Sequence, residues 1–120
     1  MPPTAFDRAR HIKEAITQIR REFAARDLDS LLAYPVHWAG YEYLLLVISE
    51  ASRGLPLEWK ALHGPGIDWG GMAAIGNMLR HAYHEVNVDL LWSVYVHDLD
   101  PLEAAVDRML AANPRPLSPS

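Results

Sequence analysis

Residues 35–53 read PVHWAGYEYLLLVISEASR, and the reading of this stretch decides the fold. Pro35 suits the first position of a helix, where its missing N–H would have no partner anyway. From Val36 to Arg53 the apolar residues recur at helical steps. Tyr41, Leu44, Ile48 and Ala51 make one stripe, while Trp38 and Leu45 add a second apolar side. A helix apolar on two sides must be covered on two sides, either by further helices of the same chain or by a second copy of it. Strand-like alternation of useful length is absent from the sequence, and so is any internal repeat. The expected class is therefore all-α.

The flanking segments supply the cover. On the N-terminal side, Thr4 is placed to cap a helix, with Asp7 in the first turn where a negative charge suits the dipole. Ala5, Ala9, Ile12, Ile16, Ile19 and Phe23 then give a core-facing stripe to about Ala25, with Lys13, Glu14, Arg20, Arg21 and Glu22 outward. Residues 26–34 read as a turn with a short helical piece after Asp29. On the C-terminal side, Gly54 stops the central helix in the preferred way. Pro56 opens a short helical piece through Leu62, and His63-Gly64-Pro65-Gly66 is a loop by composition. Asp68 is placed to cap a helix from Trp69 to His84. Gly70, Gly71 and Gly76 weaken that helix by about 1 kcal/mol each relative to Ala, so packing must offset them. Glu85 to Val88 reads as a turn. The segment Asp89–Ala112 holds one apolar register through Val88, Leu91, Trp92, Tyr95, Leu99, Leu102, Val106 and Met109, with a kink expected near Asp98-Asp100 because Pro101 lies inside it. From Asn113 the chain reads as a disordered tail. The expected architecture is an antiparallel bundle of four to five helices with no β-sheet, one domain over 1–112 and a tail over 113–120.

Composition narrows the function. The 120 residues are 50% hydrophobic and 22% charged, which allows a buried core. Cysteine is absent, so a disulfide scaffold and thiolate metal sites are out, and the usage fits a reducing cytoplasm. A net charge of −4 argues against an avid, sequence-independent grip on nucleic acid, although a local basic patch can still bind RNA. No signal pattern opens the chain, and the longest apolar run, Tyr43 to Ile48, is too short to span a bilayer. No membrane role is expected.

The chemistry concentrates in Ile75-Gly76-Asn77-Met78-Leu79-Arg80-His81-Ala82-Tyr83-His84. As a helix it splits into two faces. Met72, Ile75, Leu79, Ala82 and Val86 form the apolar stripe. Asn77, Arg80, His81 and His84 share the opposite face, and Tyr83 sits on the flank. Surface helices usually fill such positions with Glu and Lys. An imidazole titrates near neutrality and can act as base or acid, Arg80 offers a planar fork for a phosphate, and Asn77 can bond a phosphate oxygen or orient the imidazole. These are parts for phosphodiester cleavage without a metal: a base for a ribose 2′-hydroxyl and donors for charge developing on phosphorus. The plainer reading of His81, a solvated surface residue, competes with this. His81 and His84 stand i, i+3 and could share a zinc ion, but no Cys and no carboxylate on that turn completes a shell, so no metal and no cofactor are expected. Glu50 sits late in the central helix among apolar residues and needs a partner, either a nearby Arg or, for a functional role, Arg80 or His81. The four Trp residues read as core or interface.

The blocks Val47-Ile48-Ser49-Glu50-Ala51-Ser52-Arg53, Lys60-Ala61-Leu62-His63, Ile67-Asp68-Trp69, Ile75 to Tyr83, Leu91-Trp92 and Asp98-Leu99-Asp100-Pro101-Leu102 together resemble the HepT-like ribonuclease toxins of the HEPN superfamily. The resemblance runs from the first helix to about Leu110. It implies an all-α homodimer and a metal-independent endoribonuclease whose RNA-cutting cleft takes residues from both subunits. It also implies a toxin role, paired with a nucleotidyltransferase antitoxin of the MntA type. The family motif is Arg-Asn, three residues, His, one residue, Tyr. Asn77, His81 and Tyr83 match it, so the resemblance makes His81 the catalytic histidine, Asn77 its polar companion and Tyr83 the tyrosine that the antitoxin modifies with AMP. Gly76 stands where the motif has Arg. Side chains on a helix lean toward its N-terminus, so the guanidinium of Arg80, one turn on, is expected to fill the space Gly76 leaves. The rival expectation is a dimer that has lost cleavage with that arginine and only binds RNA or a partner.

Overall fold

The structure, a computed structural model, describes residues 2–24, 26–81 and 87–114. Helix α1 spans Ala5–Phe23, α2 Leu28–Leu32, α3 Pro35–Arg53, α4 Leu57–His63 and α5 Trp69–His81. A last rod runs through α6 (Val88–Ser93), a π-helical turn (Val94–Asp98) and α7 (Leu99–Ala112). No strand occurs among the described residues. Four long rods thus make the bundle, with α2 and α4 as short connectors.

The local signals work as elementary chemistry requires. Thr4 accepts from the Asp7 amide and Asp7 accepts from the Thr4 amide, a reciprocal cap at the start of α1. Pro35 occupies the first turn of α3. Asp68 accepts from the Gly71 amide at 2.8 Å at the start of α5. Two starts differ from expectation by one or two residues. Asp27, not Asp29, caps α2 by accepting from Ser30, and Asn87 caps α6 by accepting from Leu90, so that rod begins at Val88. Gly54 closes α3 with φ −90°, in the right-handed region, so no left-handed turn calls for the glycine there. What lies over it is the guanidinium of Arg8 from α1.

Packing follows the two-sided demand of the central helix. Helix α3 lies between α1 and α5, and α1 also packs on α7. The neighbours are antiparallel. Arg53 meets Asn77 and Glu50 meets Arg80 across α3–α5; Lys13 meets Asp107 and Arg20 meets Asp100 across α1–α7. Ile12, Ile16, Ile19, Leu45, Ile48, Leu99, Leu102 and Met109 are fully buried in the middle. Each such side chain contributes about 1.5–3 kcal/mol relative to exposure. One end of the core is aromatic: the Phe23 ring lies 4.8 Å from Tyr41 and 5.2 Å from Tyr95, and Trp38 lies 5.3 Å from Tyr41. Trp38 is therefore a core residue, as expected.

The kink expected at Pro101 takes the form of the π turn immediately before it. The Leu99 amide bonds the Val94 carbonyl, five residues back. The buried stripe accordingly steps by five from Val94 to Leu99. Tyr95 packs against the core as the sequence register expected, and the π turn buries Val94 beside it, a residue that register did not include. Tyr41 of α3 donates its hydroxyl to the Leu91 carbonyl, one turn before the π segment, at 2.5 Å. Burial raises the Tyr41 pKa well above the ordinary phenol value. No helix among the described residues is long and apolar enough to cross a membrane.

Candidate functional site

Helix α5 buries Met72, Ile75 and Gly76 and exposes Asn77, Arg80 and His81, the split read from its periodicity. The exposed residues meet the C-terminal half of α3. Arg80 forms an ion pair with Glu50 through Nη1 and donates through Nη2 to Asn77 Oδ1 at 2.8 Å. Arg53 donates to the same Oδ1 at 3.3 Å. Two guanidinium groups can only donate, so they fix the amide oxygen of Asn77 toward themselves. Its Nδ2 meets no acceptor among the described residues and is free to donate outward. Glu50 is half-exposed, not set in an apolar neighbourhood as the sequence suggested; its partner is Arg80 rather than His81. At such exposure the ion pair is worth about 1 kcal/mol or less, and it positions Arg80 more than it stabilises the fold.

His81 is exposed at the end of the described part of α5 and bonds no described residue. It follows Arg80 directly in the chain and lies one turn after Asn77 on the same exposed side of α5. His84 and Tyr83 lie outside the described residues. Among the described residues no group of three or more His, Asp and Glu is placed to hold a metal ion.

The space at Gly76 is not open. A Cβ built there would collide with Ser49 Oγ of α3 and approach Ser49 Cβ to 2.9 Å. Ser49 is fully buried and donates to the Ala73 carbonyl at 3.4 Å. Helices α3 and α5 thus touch backbone-close at this point, and glycine is what permits it. The expectation that Arg80 fills this space is corrected: Ser49 fills it. Arg80 stands at its edge, bound to Glu50 Oε1, which is itself 3.8 Å from the Gly76 Cβ position.

Arg53 was not singled out from the sequence as a site residue. It lies in the last turn of α3, where a cation suits the helix dipole, and nothing in the spacing alone says that it reaches Asn77 of another helix. A cavity of about 570 Å³ opens elsewhere, between α5 and the last rod, lined by Met72, Ile75, Met78, Leu90, Val94 and Leu102 among others. It is mostly apolar, with Asp68 and Asp98 also on its wall, and holds none of Glu50, Arg53, Asn77, Arg80 or His81.

Comparison with known proteins places the chain in a family. The family model described as ribonuclease HepT-like matches residues 12–109. A protein named probable ribonuclease HepT from Thermococcus cleftensis is 37% identical over 65 residues, covering 54% of this chain and 58% of that protein. A putative RNase from Caldanaerobacter subterraneus subsp. tengcongensis is 29% identical over 76 residues, 63% of this chain and 67% of that one. The match to the Thermococcus protein thus spans less than two thirds of its length. No solved structure matches the chain. With the family model covering α1 from Ile12 through α7 to Met109, the chain belongs to the ribonuclease HepT-like family.

Proposed function

We propose that the protein is a metal-independent endoribonuclease acting as the toxin of a type VII-like toxin–antitoxin pair, with RNA cut in a composite cleft between two copies. The observation that carries this reading is the Arg80–Asn77 pair beside exposed His81, on a helix face rich in donors. In the reaction, the His81 imidazole takes the proton of a ribose 2′-hydroxyl. The 2′-oxygen bonds to phosphorus as the bond to the 5′-oxygen breaks, and Arg80 with Asn77 Nδ2 meets the charge building on the phosphoryl oxygens. The leaving oxygen regains a proton from an imidazolium or from water.

A second feature supports the dimer. On α3, Val36 and Tyr43 precede Glu50 at steps of seven, so they share its side of the helix, and they are 81% and 64% exposed. An apolar strip leading to Glu50 and Arg80 suits pairing with a second copy, which would bring two sets of donors to one groove. The antitoxin, an MntA-type nucleotidyltransferase, would silence the toxin by placing AMP on Tyr83.

The rival reading is a dimer that binds RNA or its partner without cutting. The glycine at position 76 favours it, because that position carries no guanidinium and Ser49 closes the space beside it. The discriminating experiment is RNA cleavage by the purified protein and by His81→Ala. A loss of about 10²–10⁴-fold with an unchanged melting temperature is expected, since His81 is exposed. RNA that stays intact with the unsubstituted protein, yet is bound by it, establishes the rival.

A further inference from the structure

We propose that Arg53 holds the RNA backbone beside His81, as the guanidinium that replaces the missing motif arginine; this rests on the RNA-acting reading above. The argument is one of charge. Arg80 has spent one arm of its guanidinium on Glu50 and the other on Asn77. The carboxylate it touches offsets its net charge, so Arg80 acts as a hydrogen-bond donor to the phosphoryl group rather than as a source of net positive charge. Arg53 is the opposite case. It is exposed, it donates to Asn77 Oδ1 at 3.3 Å, and no carboxylate among the described residues pairs with it. It therefore stands against the same amide as Arg80 with its charge uncompensated.

The surroundings point the same way. Asn77 is exposed, its Oδ1 accepts from both guanidiniums, and its Nδ2 bonds no described residue, so an oxyanion at this amide meets a donor flanked by Arg53. The guanidinium of Arg8 lies on Gly54, the next residue after Arg53, which adds a second cation at this end of α3. Counting Glu50 against Arg53 and Arg80 leaves the α3–α5 cluster with one net positive charge, and the uncompensated charge is that of Arg53. In a chain of net charge −4, this gives a local basic site for a polyanion. A purely structural role for Arg53 predicts something different: that only its hydrogen bond to Asn77 matters.

Glutamine and lysine separate the two roles. Arg53→Gln keeps an amide donor for Asn77 but removes the charge; Arg53→Lys keeps the charge on a different donor. The measurement is fluorescence anisotropy of a labelled, mixed-sequence single-stranded RNA oligonucleotide binding to the full chain carrying His81→Ala, across a salt series. Arg53→Gln is expected to weaken binding about tenfold and to reduce the slope of log affinity against log salt by about 0.7, the value for one lost phosphate contact on a single strand. Arg53→Lys is expected to keep the slope. An unchanged slope in Arg53→Gln overturns the proposal while leaving the nuclease reading intact if the unsubstituted protein cleaves. Loss of slope in a protein that never cleaves upholds Arg53 and sinks the nuclease reading. No binding of RNA by the unsubstituted protein overturns both.

Discussion

At the scale of single residues, Gly76 and Arg80 carry the most information. Two effects compete in Gly76→Ala. Helix propensity favours alanine by about 1 kcal/mol, and overpacking a buried contact costs about 1–3 kcal/mol. The nearest carbon is Ser49 Cβ at 2.9 Å, which no side-chain rotation can move, so the clash wins. Urea unfolding of Gly76→Ala is expected to show a net loss of up to about 2 kcal/mol; a gain would mean that α3 and α5 part without cost. Arg80→Ala is expected to lower cleavage by about 10²–10³-fold, the usual penalty for losing one donor to a developing oxyanion. Undiminished single-turnover cleavage by that variant removes Arg80 from the mechanism. The polar face of α5 could be read from its sequence because periodicity assigns faces within one helix. What stands opposite Gly76 could not, because one helix's pattern does not say which residue of its neighbour comes close. Arg53 escaped notice for the same reason: its role depends on the register between α3 and α5.

At the scale of elements, one buried tyrosine hydrogen-bonds α3 to the last rod. Tyr41→Phe removes the donor to the Leu91 carbonyl and leaves that acceptor buried, at a cost of about 1–2 kcal/mol. The pH dependence has a definite sign. Burial raises the Tyr41 pKa in the folded state above its unfolded value, so the protonated, bonded form is the folded one. Its contribution is complete below about pH 10 and is lost as pH rises above the unfolded pKa, at up to about 1.4 kcal/mol per pH unit. Chemical denaturation between neutral and strongly alkaline pH is expected to show this decline, and Tyr41→Phe is expected to flatten it. An equal decline in both proteins would assign it to other groups. The rods themselves were legible in advance: Thr4, Pro35 and Asp68 are start signals whose chemistry is local. The π turn was legible only as a conflict, a proline inside an apolar register. Its resolution depends on how the neighbouring helices bury Val94 beside Tyr95.

At the scale of the whole molecule, the question is which side of the bundle another copy covers. The strip of Val36 and Tyr43 on the Glu50 side of α3 predicts that Tyr43→Glu disrupts association. Sedimentation or light scattering is expected to show a shift toward monomer, with cleavage falling in parallel while the helical signal in circular dichroism is retained. A Tyr43→Glu protein that stays paired and active would place the contact elsewhere. The wide turn at Val94–Asp98 has a consequence on this scale too. It makes the chain intolerant of a one-residue deletion there, even though removing a residue would yield a more regular helix. Without it, everything downstream would swing by about a quarter turn, since each helical residue advances roughly 100°. Leu102, Val106 and Met109 would then face solvent and Lys13 would lose Asp107 and Glu103. The irregularity is thus a phase correction between the two halves of one rod, and point substitutions should be far better tolerated within it than any change of length.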